Sequence, residues 1–156
     1  MDKLLSDFEI LKKIPDCIPY RRGFVAGCFD VIHPGYIAMF KEAKTSCEYL
    51  IVAVHIDPSL EHPEKMKPVL PWQLRVGILR SIRYVDEVHA YQSESALAEF
   101  LKNVKPDVRF LGDDYKDGKK PITGADLNIP IHFIQRSEWS ATLFKQMIYE
   151  QMKGRK

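Results

Sequence analysis

The sequence predicts an α/β fold built on one parallel sheet of about five strands with helices on both faces. Apolar runs typical of buried strands alternate along the chain with segments whose apolar residues have helical spacing, which is the pattern of such a sheet. The 156 residues, 46% of them hydrophobic, suffice for one substantial core and are too few for two ordinary domains. We therefore predict a single domain over residues 21–156, preceded by an N-terminal helical extension over residues 1–20.

The first strand is predicted at residues 24–26, where an apolar run ends at Gly27, and a helix follows over residues 36–43. The same alternation places the later strands at residues 49–56, 85–91, 108–111 and 131–134. It places the later helices at residues 71–81, 95–104 and 140–152. Pro71 suits the first turn of one of these helices, and Ser140 suits the N-cap of the last.

The N-terminal extension has one apolar helical face, formed by Leu4, Leu5, Phe8, Leu11 and Ile14. Pro15 and Pro19 end that pattern, so a short amphipathic helix is predicted. Packing on the surface of the domain is the favoured interpretation. Binding of a partner and covering of an active site are the alternatives.

Charge and composition exclude several classes of protein. The formal net charge is +2 and the basic residues are scattered, so nucleic acid is not predicted as a partner. No stretch approaches the roughly 20 apolar residues that cross a bilayer, and the acidic N-terminus is unlike a signal peptide. Cys17, Cys28 and Cys47 lack CxxC spacing, which argues against a disulfide framework or a zinc cluster. We predict a soluble, unprocessed cytoplasmic protein with no membrane partner.

The most informative segment is Gly-Cys-Phe-Asp-Val-Ile-His-Pro-Gly-Tyr at residues 27–36. It joins the first predicted strand to the first predicted helix, where free backbone N–H groups attract anions. His33 would stand beside them and offer a hydrogen bond or a positive charge to a phosphate. A strand, a glycine turn and a helix in this order predict a phosphate site.

This segment resembles the G-x-F-D-x-x-H-x-G-H signature of the cytidylyltransferase-like nucleotidyltransferases, the family that contains glycerol-3-phosphate and choline-phosphate cytidylyltransferases. The second histidine of the signature is Tyr36 here, a phenol that donates a hydrogen bond but stays neutral at pH 7. The resemblance implies a Rossmann-like domain in which the first loop binds the nucleotide through Gly27, Cys28, Phe29, Asp30 and Gly35.

Two further segments are implied to bind the substrates. Lys65 and Lys67 lie in the loop after the second strand, where lysines of the family contact phosphates of the nucleotide and of the acceptor, and Lys67 is also assigned to the acceptor; a solvated surface pair is the alternative. Arg75, on the next helix, matches an arginine that would bind the acceptor's anionic group. An ordinary surface arginine is the alternative there.

The fourth strand ends in Gly112-Asp113-Asp114-Tyr115, which looks like the G-D-D-W/Y element of the family. Gly112 permits close backbone approach, and an acid here would orient an amine, a hydroxyl or a magnesium-bound water. We assign that role to Asp113. Hydrogen bonds within the turn are the alternative.

The segment Gln-Arg-Ser-Glu-Trp-Ser-Ala-Thr at residues 135–142 resembles the family's R-T-E-G-I-S-T-T sequence, with one residue fewer before the serine. The resemblance places Arg136 on the triphosphate, which a guanidinium binds through a rigid fork. Ser140 and Thr142 would supply hydroxyls at a second helix N-terminus, and capping by Ser140 is compatible with that role. Trp139 covers apolar surface or borders the base.

Residues 83–88, Arg-Tyr-Val-Asp-Glu-Val, match a family segment at a two-fold contact, which implies a homodimer; a helix end followed by a strand start is the alternative. The remaining histidines show no metal-ligand spacing and are interpreted as structural or surface residues: His55, His62, His89 and His132. No protein-bound metal is predicted. Mg²⁺ is expected to arrive with the nucleotide.

The function predicted from the resemblance is transfer of CMP from CTP to a small phosphorylated or phosphonylated alcohol, similar to glycerol 3-phosphate. The reaction releases pyrophosphate and gives a CDP-linked product. The predicted catalytic set is His33, Tyr36, Lys65, Lys67 and Arg136. Two alternatives stay open, namely an adenylyltransferase of the same superfamily and a non-catalytic nucleotide-binding domain.

Overall fold

A computed structural model describes residues 18–155, in which strands and helices alternate. The strands are β1 (Tyr20–Gly27), β2 (Cys47–His55), β3 (Glu87–Tyr91), β4 (Val108–Gly112) and β5 (Ile131–Ile134). The helices are α1 (Pro34–Ser46), α2 (Trp72–Arg80), α3 (Glu94–Val104) and α4 (Ala141–Lys153). Within residues 18–155, no helix has the length and apolar character needed to cross a membrane. The amphipathic helix predicted in residues 1–20 lies almost wholly outside the described residues.

The five strands form one sheet in the order β3-β2-β1-β4-β5, and every pair of neighbours is parallel. The predicted single α/β domain is therefore confirmed. β1 begins at Tyr20, four residues before the predicted start, because Arg22 pairs with Tyr49 in the ladder although its side chain is exposed. The Arg22 guanidinium donates to the carbonyl of Lys105 at 3.3 Å, so a polar residue is accommodated at the start of a central strand.

The core has one layer on each face of the sheet, because side chains alternate between faces along a strand. Val25 and Val52 pack with residues of α1 and α2 such as Phe40 and Leu79. Their neighbours along the strands pack on the other face against α3, in a cluster that contains Phe24, Ile51, Leu97 and Leu101. The prediction of helices on both faces is confirmed. Burial of each such side chain stabilises the fold by about 1.5–3 kcal/mol.

The strand order reverses at β1. The chain runs from β1 to β2 and β3 on one side, and then crosses to β4 and β5 on the other side. In parallel sheets ligands bind beyond the carboxyl ends of the strands at such a reversal. This places the loops that follow β1, β4 and β5 around one crevice.

Candidate active site

The loop after β1 makes a tight turn that directs the chain into α1. Phe29 has a φ of 48°, in the left-handed region that few residues other than glycine adopt. Its ring lies 3.0 Å from the position that a Cβ at Gly27 would occupy, so any larger residue there would require the ring to shift. The ring packs on Tyr36 and Phe40 with centroid distances of 5.1 and 5.5 Å. Gly27 and Phe29 thus shape the turn that presents His33.

His33 is the N-cap residue of α1 and is only 5% exposed. Its ring stacks on Tyr36 with a centroid distance of 4.1 Å. Among residues 18–155, no side chain caps the first turn of α1, and the Nδ1 atom of His33 has no hydrogen-bond partner. Pro34 has no N–H, and the N–H of Tyr36 donates to His33 O at 3.0 Å, so the start of α1 offers an anion the N–H of Gly35 beside an imidazole that retains hydrogen-bonding capacity.

The loop after β5 packs closely against the start of α1. A Cβ at Gly35 would lie 2.6 Å from Ser137 Oγ and 3.0 Å from His33 Nδ1, so this approach requires glycine. Trp139 of the same loop stacks near His33, with a centroid distance of 6.5 Å. The structure thus brings together the two segments that the sequence assigned to the phosphates.

Arg136 connects the loops after β4 and β5. Its backbone N–H donates to Asp113 Oδ1 at 3.0 Å, and its Nη1 donates to Asp114 Oδ2 at 2.7 Å. The Arg136 side chain is 53% exposed, so the guanidinium is oriented by Asp114 while it stays accessible to a phosphate. The sequence assigned the functional acid to Asp113, whereas the structure places the carboxylate of Asp114 on the guanidinium.

Asp114 stays ionised in this arrangement. Burial by itself would raise its pKa, but the ammonium of Lys120 and the guanidinium of Arg136 outweigh that effect and hold the pKa below its usual value. The Asp114 carboxylate folds back over Gly112, where a Cβ would force Oδ1 of Asp114 to move. Gly112 therefore acts by making room for the partner of Arg136.

The second helix N-terminus of the crevice belongs to α4. Ser140 Oγ accepts a hydrogen bond from the N–H of Leu143 at 3.0 Å, as expected for an N-cap. Thr142 is exposed in the first turn, and Lys65 and Lys67 are exposed in the loop after β2. These accessible positions are compatible with the predicted phosphate contacts, which stay predictions.

Asp30, in the loop after β1, contacts both the loop after β2 and helix α4. Its carboxylate accepts the N–H groups of Val69 and Leu70, each at 2.8 Å, and the Nζ of Lys145 lies 2.5 Å from Oδ2. Burial by itself would raise the pKa of Asp30, but the hydrogen bonds from Leu70, Lys145 and Val69 lower it. The structure gives Asp30 a bracing role where the sequence suggested a nucleotide contact.

Arg75 is 1% exposed, and its guanidinium donates to backbone carbonyls on three sides. Nη1 bonds Cys28 O at 2.7 Å and His55 O at 2.8 Å, Nε bonds Leu70 O at 3.0 Å, and Nη2 bonds Ile56 O. The surface interpretation of Arg75 is therefore wrong. Its geometry favours bracing of the loops after β1 and β2 over the predicted contact with an acceptor, and Cys28 takes part through its carbonyl.

We expect burial and, to a smaller extent, the Arg136 charge to lower the pKa of His33. Burial and the nearby guanidinium both lower the pKa of His33 below its usual value. In Arg136→Gln, an NMR titration of the imidazole should give a higher pKa, whereas Lys153→Gln at the far end of α4 should leave it unchanged. The pKa of His33 is lower in the folded protein than in the unfolded chain. Protonation of His33 therefore lowers the free energy of unfolding as the pH falls from about 6.5 through the pKa of the folded state. An unchanged pKa in Arg136→Gln would contradict the electrostatic coupling.

A family model described as cytidylyltransferase-like matches residues 24–150. The chain belongs to this family. In this cytidylyltransferase-like chain the matched region runs from β1 into α4, so it contains His33, Arg136 and the loops that join them. The resemblance of residues 27–36 is thereby confirmed, and the chain is placed in the nucleotidyltransferase superfamily.

Two curated proteins show how the family extends. The bifunctional protein HldE of Gluconacetobacter diazotrophicus is 40% identical over 110 residues, which are 69% of this chain and 22% of that protein. The FAD synthase of Thermococcus kodakarensis is 37% identical over 93 residues, which are 60% of this chain and 62% of that protein. The matched part is thus less than two thirds of either relative.

Among solved structures, the lipopolysaccharide core biosynthesis protein of Thermoplasma volcanium is similar, with a TM-score of 0.61 and 25% identity. That match covers 78% of this chain and 99% of the other. The pantoate-beta-alanine ligase of Francisella tularensis has a TM-score of 0.53 at 17% identity, over 93% of this chain and 76% of the other. The latter supports the fold alone.

Proposed function

We propose that this protein transfers a nucleoside monophosphate from a nucleoside triphosphate to a phosphate or phosphonate oxygen of a small acceptor. The acceptor oxygen attacks the α-phosphorus in line, the bond from that phosphorus to the bridging oxygen breaks, and pyrophosphate leaves with the electron pair. One observation carries the proposal: Gly35 approaches Ser137 so closely that a Cβ would lie 2.6 Å from its Oγ, and the Arg136 guanidinium is near enough to His33 to lower the pKa of the imidazole. No nucleophilic side chain is needed, since the attacking oxygen is already anionic.

The side chains act by binding and by stabilising charge. Neutral His33 donates a hydrogen bond to an oxygen of the transferring phosphate, where negative charge grows in the transition state. Arg136 exchanges Asp114 for the triphosphate, which offers more acceptor oxygens than one carboxylate. Burial raises the pKa of Tyr36 to about 12, so its hydroxyl stays a hydrogen-bond donor at neutral pH. Lys65 and Lys67 extend the positive surface from the loop after β2.

Mg²⁺ would be held by the phosphates of the nucleotide and would neutralise part of their charge. Asp113 and Asp114 each accept a hydrogen bond from Arg136, so these carboxylates are already engaged beside the crevice. The residues present therefore fit an ion that arrives with the nucleotide better than one held by this acid pair. The steps proposed for His33 and Arg136 do not depend on that ion.

The identity of the nucleotide is the part of the proposal on which a relative and the sequence motif point in different directions. FAD contains an AMP unit, so the likeness to an enzyme named FAD synthase favours ATP as the donor. The motif resemblance at residues 27–36 favours CTP. We take ATP as the first candidate and CTP as the second, and a glycerol 3-phosphate-like compound as the acceptor class.

A homodimer through residues 83–88 is also part of the proposal. Within the chain, Asp86 accepts a hydrogen bond from the N–H of Leu50 at 2.7 Å and pairs with Lys44. Arg83 of the same segment is exposed and lies 5.7 Å from the centroid of the Tyr84 ring. Asp86 thus holds the segment through contacts within the chain, while Arg83 is exposed and available to a second copy.

Calorimetric titration with ATP, CTP, GTP and UTP, each with Mg²⁺, tests the proposal without a guess about the acceptor. Selective binding of ATP supports the first candidate, and selective binding of CTP replaces it with the second. Arg136→Gln should weaken binding at least tenfold, whereas Lys153→Gln should bind like the wild type. Pyrophosphate release with a panel of phosphorylated acceptors then identifies the co-substrate. Failure to bind any of the four would overturn the proposal in favour of a non-catalytic domain.

A further inference from the structure

A second group of chemically active side chains lies at the same edge of the sheet, beyond β2 and β3. It comprises a buried imidazole at the end of β2, two residues of the loop after β2, and the first residue of α3. We propose that three of these side chains whose ligand atoms already lie together, His55, Glu61 and Glu94, bind one divalent transition-metal ion such as Zn²⁺, and that His62, which lies beside Glu94, moves in as the fourth ligand. This proposal is independent of the nucleotidyl transfer.

The distances match those of a metal site. One ligand atom each from His55, Glu61 and Glu94 lie within 4.8 Å of one another. Nε2 of His55 is 3.2 Å from Oε2 of Glu61, and Nε2 of His62 is 3.6 Å from Oε1 of Glu94. Tetrahedral zinc with bonds of about 2.0 Å places its ligand atoms about 3.3 Å apart. Two pairs therefore already have nearly the spacing of two edges of such a tetrahedron.

Other groups hold three of these ligands in position. The carboxylate of Glu61 accepts the backbone N–H of Glu94, with Oε2 at 3.0 Å. Nδ1 of His62 faces Oε1 of Glu64 at 3.6 Å, and the second oxygen of Glu94 accepts the hydroxyl of Thr123. Metal-binding histidines commonly direct their other ring nitrogen to a carboxylate, and metal-binding carboxylates are themselves hydrogen-bonded. The cluster thus has the supporting contacts of a metal site.

Burial and charge favour a cation here. His55 is 2% exposed, and within the described part of the chain its Nδ1 has no partner, so its polar contact is made through Nε2 toward the cluster. Glu61 and Glu94 bring two negative charges within 4.8 Å. The buried Arg109, which donates to the carbonyl of Thr123, supplies one positive charge near Glu94. A divalent ion would compensate the carboxylates directly.

A bound ion would join the end of β2, the loop after β2 and the start of α3. Glu61 and His62 lie just before Lys65 in the loop after β2, and Val69, whose N–H donates to Asp30, lies just after Lys67. The ion would therefore fix one end of the lysine-bearing loop, and Asp30 fixes the other. With four protein ligands, the site belongs to the structural class of zinc sites. Because the ion would bind the folded chain and not the unfolded chain, it would raise the free energy of unfolding.

Titration of the chelator-treated full chain with Zn²⁺ alone tests the proposal, with Co²⁺ as a second probe because tetrahedral Co²⁺ absorbs visible light. We expect one ion per chain, and an affinity at least tenfold lower in Glu61→Gln and in His62→Ala. His132→Ala is the matched control, since His132 is also a partly exposed imidazole facing a glutamate, Glu42 at 3.8 Å. It should bind Zn²⁺ like the wild type.

Both test variants alter partly exposed side chains, so the fold should persist, and circular dichroism checks that it does. Absence of one-to-one binding, or equal affinity in the wild type and both variants, would overturn the proposal. Nucleotide binding by the metal-free chain is measured in parallel. Its failure would count against the proposed function and leave the metal result standing.

Discussion

His33→Ala is expected to lower turnover about 10²- to 10⁴-fold while nucleotide affinity stays within a few-fold of the wild type. The imidazole lies at the start of α1 beside the crevice, and its hydrogen bond matters most where charge grows on the transferring phosphate. It makes no cap hydrogen bond to residues 18–155, so alanine removes no cap contact of α1. Steady-state pyrophosphate release and calorimetry measure the two quantities.

His132→Ala serves as the control for this experiment, because it removes an imidazole that lies on β5 away from the crevice. It should keep turnover near the wild-type value. Near-normal turnover of His33→Ala with unchanged nucleotide binding would refute the role assigned to His33. A parallel loss of affinity and turnover would instead show that the imidazole binds the ground state and transition state alike.

Arg75→Met is expected to lower the free energy of unfolding by about 3–5 kcal/mol. The substitution keeps the apolar part of the side chain and leaves buried carbonyls without the guanidinium that now satisfies them, those of Cys28, His55, Ile56 and Leu70. Urea denaturation, followed by circular dichroism, measures the change.

Arg80→Met is the matched control, since Arg80 is exposed on the same helix. It should change the free energy of unfolding by no more than about 0.5 kcal/mol. If both variants unfold at the same urea concentration, Arg75 does not brace the loops. A surviving role in acceptor binding would then be tested through the KM for the acceptor.

The order and type of the elements could be predicted because the strands of a covered parallel sheet are continuous apolar runs. Residues 51–54 of β2 are an example, as all four are buried. The start of β1 could not be predicted in the same way. Arg22 is exposed and breaks the apolar run, and its place in the ladder depends on pairing with Tyr49 of β2. That pairing is a contact between segments that are distant in sequence.

The candidate site was partly predictable for a related reason. His33 and Gly35 lie in one short segment with fixed spacing, so their relation to each other is local. The choice between Asp113 and Asp114 depends on Arg136, which approaches from another loop 22 residues beyond Asp114. A sequence pattern contains no information about that approach.

Buried polar residues were the hardest to interpret from sequence. An arginine is usually expected at the surface, because burial of a guanidinium costs free energy. Arg75 is buried because carbonyl groups from separate loops accept its hydrogen bonds and offset that cost. The cluster around His55 also depends on contacts between loops that are distant in sequence. Glu61 follows β2 and Glu94 follows β3, and the parallel pairing of these strands brings the two loops together.

The ion pair between Arg136 and Asp114 has a consequence for which anions we expect to bind the guanidinium. A monovalent anion such as chloride that competes with Asp114 for Nη1 of Arg136 gains one charge interaction for the one it breaks. A nucleoside triphosphate brings several charges and many acceptor oxygens, so it can repay that loss. We therefore expect dilute simple salts to leave Nη1 of Arg136 with Asp114 and a polyanion to displace that carboxylate.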